Sequence, residues 1–142
     1  MSKSDSPGAR TRARDLIVQS LYQMQLTGHD HAELMVQFHE RPDYQRVDKI
    51  YYDDAMRSIC ENTESLEKSI DEFADRPLQQ LDPVERGILL LGFYELRSQP
   101  DVPFKVVINE SVNLAKRFGA VDGHKYINAV LDRAVKKLRP EL

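Results

Sequence analysis

Few residues in this chain are of types and spacings that could do chemistry. Asp82 and Glu85 stand three apart, as paired carboxylates for acid/base work would. The run Asp82-Pro83-Val84-Glu85 also has Asp at an N-cap, Pro at the first helical position and Glu at N3, so helix capping accounts for both acids. His29, His31 and His39 lack a strict ligand spacing, and no cysteine lies close enough in sequence to complete a tetrahedral set, so no metal is expected. Cys60, the only cysteine, follows Ile59 in a helical run, where a buried inert thiol is commoner than a nucleophile. The six glycines are scattered, without the strand-loop-helix context of a phosphate loop. Neither catalysis nor a cofactor is expected.

Recognition remains. Single-stranded RNA is held by basic side chains on phosphates and by exposed aromatics on which unstacked bases lie. Arg10, Arg12, Arg14, Lys116, Arg117 and Lys125 are candidates for the first role. Tyr22, Phe73, Phe118 and Tyr126 are the aromatics nearest basic segments or helix ends, although composition alone favours core positions for them. The formal net charge of −3 argues against nucleic acid only if it is read as one number. Residues 1–14 carry a net +3, residues 102–142 a net +4, and the middle −10. Brought together by the fold, the two ends would make one basic face; kept apart, they are solvated surface.

These groups must be positioned by helices. Apolar residues recur at helical spacing over Ala13–Leu26, stopped by Thr27-Gly28, and again after Asp30, ending before Pro42. Asp48 to Asp75 reads as one long amphipathic helix through Tyr52, Met56, Ile59, Leu66, Ile70 and Phe73. The helix opened by Asp82 is apolar on nearly all sides from Ile88 to Leu96, as a central helix would be, with Gly92 allowing close approach. A further stripe runs from Phe104 to Phe118 and ends at Gly119, and Asp122 is placed to cap a last helix that Pro140 closes. No strand-period segment, repeat or sustained heptad is present. The expected fold class is all-α, a compact bundle of about six to seven helices, with residues 1–9 a flexible tail and 10–142 one domain. The absence of a secretory leader and the single cysteine point to the cytoplasm, and the longest apolar run, Gly87–Tyr94, is too short to span a membrane.

Several segments resemble the NusB family of transcription antitermination factors. They are Arg10-Thr-Arg-Ala-Arg14, Val18-Gln-Ser-Leu-Tyr-Gln-Met-Gln25, Val84-Glu-Arg86, Tyr94-Glu-Leu96, Asp101–Glu110, Ala115-Lys-Arg-Phe-Gly-Ala120 and His124–Asp132, in the family's order and spacing. Residues 27–80 match only loosely. The resemblance implies an all-helical fold of two subdomains, binding to boxA RNA, a heterodimer with the ribosomal protein NusE, and assembly with RNA polymerase and the other Nus factors. It implies no cofactor.

By position, the resemblance assigns RNA contact to Arg10, Arg12, Arg14, Phe73, Arg76, Lys116, Phe118, Asp122, His124, Lys125 and Tyr126, and NusE contact to Tyr22 and Glu85. Thr11 replaces an expected basic residue, and Phe73 replaces a tyrosine, keeping the stacking face and losing the hydroxyl. Asp122, being negative, would moderate RNA affinity rather than supply it. Two other readings stand beside this one. NusB-like domains also precede the α/β domain of RNA cytosine methyltransferases, a pattern not expected in a chain that ends at Leu142, and some family members form homodimers that cover these surfaces.

Overall fold

The computed structural model describes residues 8–141 and contains seven α-helices, with no strand among the described residues. They are α1 (Ala9–Thr27), α2 (His31–His39), α3 (Lys49–Glu61), α4 (Thr63–Asp71), α5 (Pro83–Ser98), α6 (Phe104–Phe118) and α7 (Gly123–Leu138), with short 3-10 turns at Pro42–Arg46 and Leu78–Gln80. The chain divides at Glu61/Asn62 into two compact units. Residues 1–7 of the expected tail lie outside the described residues; Ala9, its last residue, is already helical and buried.

In the first unit, α1 starts four residues before the expected Ala13. Its buried stripe runs Ala9, Ala13, Leu16, Ile17, Ser20, Leu21, and alanine contributes little to an apolar period although it packs fully. Gly8, at φ 89°, turns the chain into the helix, and Gly28, at φ 74°, ends it by donating its N–H to the Met24 carbonyl at 2.9 Å. Asp30 caps α2 by accepting from the Glu33 N–H at 2.9 Å. Buried Asp48 caps α3 by accepting from the Tyr51 N–H at 3.1 Å, and its own N–H donates to the Ala9 carbonyl at 3.0 Å, fixing the start of α3 to the start of α1. A 2.7 Å hydrogen bond between Ser20 and Tyr52 satisfies the polar atoms among Leu16, Met56 and Ile59.

The single helix expected over 48–75 is two. Asn62, at φ −119° and ψ 20°, leaves helical geometry between α3 and α4. Ile59 and Leu66 are seven apart, so the apolar period passes through the break unchanged, while the two residues serve separate cores.

In the second unit α5 is buried continuously from Gly87 to Leu96 and packs against α4, α6 and α7. Asp82 caps it, accepting from the Val84 N–H at 2.7 Å. At Gly92 the helices approach so closely that a Cβ would sit 3.1 Å from Leu131 Cδ2 and 3.3 Å from Ser111 Oγ. The far end of α5 is closed by Arg139, whose guanidinium donates to the carbonyls of Glu95, Leu96, Gln99 and Val102 at 2.5–3.1 Å. The carbonyls of Glu95 and Gln99 also accept the N–H groups of Gln99 and Val102, each at 3.0 Å, so the guanidinium ties the helix end to the loop that follows it. Arg139→Ala is expected to destabilise the chain by about 2–3 kcal/mol in urea unfolding, and Arg139→Lys to recover less than half, since an ammonium cannot reproduce the planar fork.

Candidate nucleic-acid interface

The turn between α6 and α7 gathers most of the residues singled out in the second unit. Lys116 and Arg117 near the end of α6 are exposed, where they also suit its negative dipole end. Phe118, 38% exposed, follows with the Arg117 guanidinium 5.9 Å from its ring centroid. Gly119 donates its N–H to the Ala115 carbonyl at 2.8 Å and lies so close that a Cβ would come within 2.7 Å of that oxygen.

Asp122 occupies the N-cap position of α7 but does not cap it, which corrects the expectation. Its backbone is left-handed, at φ 66°, and its side chain makes no capping bond. Capping needs an extended backbone to aim the carboxylate back at the first turn; here the carboxylate pairs instead with Lys125 Nζ at 3.5 Å. Next to it, Gly123 lies directly against Glu85: a Cβ there would lie 2.6 Å from Glu85 Oε1. Glu85 therefore sits against the start of α7 instead of completing a capping box with Asp82. It is 8% exposed, and burial, reinforced by the Asp82 charge and opposed by Arg76, raises its carboxyl above the ordinary value.

One turn on, the Arg76 guanidinium lies 4.4 Å above the Tyr126 ring, and Arg76 also pairs with Asp75 at 3.4 Å. The cation covers one face of the half-buried ring and holds it. His124 is half-buried and Lys125 exposed beside it. Phe73 packs its ring 6.2 Å from the buried Phe93, and its carbonyl accepts from Arg133 at 2.6 Å, so this aromatic is partly committed to the core.

The first unit separates its three arginines. Arg10 and Arg14, four apart, share a helix face over Tyr51, with guanidinium carbons 4.4 and 5.7 Å from the ring centroid. Arg10 also pairs with Asp48 at 3.2 Å, and Arg14 is only 3% exposed, which leaves its guanidinium little access to solvent. Arg12, two residues from each, points elsewhere and is exposed. Tyr22, in the same unit, is 39% exposed. The sequence reading passed over Arg46, exposed at the end of the 3-10 turn beside Arg12; a five-residue turn carries no helical period to mark it.

His39 and Cys60 have structural partners. His39 pairs with Asp53 at 2.8 Å, and among the described residues no three His, Cys, Asp or Glu side chains gather as metal ligands would. Cys60 lies 3.8 Å from Met24 Sδ, and burial pushes its thiol up to about 11, away from reactivity. No described helix is long and apolar enough to cross a membrane.

A family model described as the NusB family matches residues 11–136. The chain is 42% identical to the transcription antitermination protein NusB of Idiomarina loihiensis, over 94% of this chain and 96% of that protein. It is 44% identical to the namesake in Pseudoalteromonas translucida, over 94% and 98%, and 42% identical to that of Escherichia coli, over 94% and 96%. A solved structure of T. maritima NusB superposes with a TM-score of 0.81 at 29% identity, covering 94% of this chain and 97% of that one.

The Glu85 environment has a measurable consequence. With its carboxyl above the ordinary 4.5, the folded chain holds a proton over a pH range in which the unfolded chain has released it. The stability this group contributes is present below about 4.5 and is lost as pH rises through the raised value. Glu85→Gln is therefore expected to gain thermal stability relative to the parent chain as pH rises from 4.5 to 7, measured as the difference between the two melting curves. Curves that stay parallel across that range would contradict the assignment.

Proposed function

We propose, from the premise that this chain belongs to the NusB family of transcription antitermination proteins, that it binds the boxA element of nascent RNA together with NusE and so joins RNA polymerase and the other Nus factors. The observation that carries this reading is the α6–α7 turn, where the exposed Phe118 follows Lys116 and Arg117 and the half-buried Tyr126 lies under Arg76 beside the exposed Lys125. Phosphates would be met by Lys116 and Lys125, and by Arg12 in the other unit. Unstacked bases would lie on Phe118 and Tyr126, each stack being worth about 1–3 kcal/mol. The backbone N–H groups at the start of α7 add a weak attraction for phosphate.

Asp122 works against this attraction, since its exposed carboxylate both repels RNA and occupies Lys125. For NusE, Tyr22 offers a broad exposed ring, whereas Glu85 presents only an edge. The complex would work in the cytoplasm as a binding protein, without chemistry of its own.

The test is a titration of boxA RNA and a scrambled control, with and without NusE, at two salt concentrations. The expected result is a preference for boxA, tightening by NusE, and a loss of roughly tenfold or more in the double variant Lys125→Ala, Tyr126→Ala. Asp122→Asn, which tolerates the left-handed backbone and frees Lys125, is expected to tighten binding about two- to fivefold. A folded protein indifferent to both RNA and NusE would overturn the reading in favour of a self-associating module.

A further inference from the structure

Arg12 and Arg46 line one cleft of about 200 Å³ in the first unit, together with Gln19, Asp15 and Asp43. The acids there are already engaged. Both oxygens of Asp43 accept from Arg41, at 2.9 and 3.2 Å, and Asp15 has a partner of its own. Gln19 gives its amide oxygen to Arg41 at 3.2 Å, which leaves its NH₂ as a donor. Arg12 and Arg46 are both exposed and have no ion-pair partner among the described residues.

Beside these engaged carboxylates the cleft offers donors: two guanidinium forks and an amide. That set suits a phosphate oxygen cluster, which arginine meets with paired N–H bonds. The volume lies below the roughly 300 Å³ at which pockets for whole small ligands begin, so a single group fits better than a nucleotide. The divergence of the three N-terminal arginines adds to this, because Arg10 and Arg14 lie over Tyr51 while Arg12 lines the cleft with Arg46.

We infer that the Arg12–Arg46 cleft is a phosphate site that takes a phosphodiester of the bound RNA backbone, with Arg46 as a contact residue. The inference rests on the RNA-binding reading above. A phosphate clamp reads no bases, so its removal lowers affinity for boxA and scrambled RNA alike and reduces the salt dependence.

The test titrates both RNAs over a salt series against the full chain, Arg46→Ala, Arg12→Ala, the double variant, Arg46→Lys, and Lys105→Ala as a control on α6. Circular dichroism checks each fold. Arg46→Ala is expected to weaken both RNAs roughly fivefold, to lower the log–log salt slope by about 0.7, and to be less than additive with Arg12→Ala, with Arg46→Lys losing less and Lys105→Ala unchanged. A folded Arg46→Ala with unaltered affinity and slope overturns the inference while leaving RNA binding intact. If the parent chain binds no RNA at all, the functional reading and this site fall together. Inorganic phosphate is titrated in parallel by NMR of the arginine side chains. Should it perturb Arg12 and Arg46 while RNA affinity ignores Arg46→Ala, the cleft serves a free anion and the RNA assignment fails.

Discussion

Helix α5 has no face to give to solvent between Gly87 and Leu96, and the second unit is arranged around that fact. A helix apolar all round must be enclosed, and α4, α6 and α7 enclose it. Burying each leucine, isoleucine or phenylalanine there is worth about 1.5–3 kcal/mol, which outweighs any single polar contact in the unit. Enclosure also fixes where things end. Gly92 sets how near Ser111 and Leu131 come, Arg139 closes the carbonyl end, and Glu85 at the opposite end meets Gly123. The turn between α6 and α7 is thereby held at the start of α5, and Tyr126 is delivered under Arg76.

The first unit solves a polar problem of its own. Asp48, Ser20 and Arg14 are all buried, and each has a hydrogen bond, ion pair or ring contact within the unit. Because residues two apart on a helix point to different sides, one short basic run supplies both an internal scaffold, Arg10 and Arg14 over Tyr51, and an outward group, Arg12. Stability and anion attraction are divided among arginines that look equivalent in the sequence.

That division marks the limit of what the sequence could tell. Signals that act within a few residues were legible: the Asp82-Pro83 start of α5, the Asp30 cap, the Gly28 stop, and the all-round apolar run that made α5 central. The all-helical class followed from the periods, and the second unit's basic and aromatic residues were singled out before their arrangement was known. Features that depend on tertiary context were hidden. Asn62 breaks a helix without breaking its apolar period, and Ala9 is buried without looking apolar enough to count. Asp122 has the right residue type for a cap and the wrong backbone for one. Arg46 became visible only once the fold set it beside Arg12.

The central claim is that RNA is met by the α6–α7 turn and the aromatic it positions. Ultraviolet crosslinking of boxA RNA to the full chain, with the attached residues read by mass spectrometry, tests this most directly. Crosslinks at Phe118 and Tyr126, absent with free nucleotides in place of RNA, are the predicted result. Crosslinks confined to other residues, or none from a protein that binds the RNA, would contradict it.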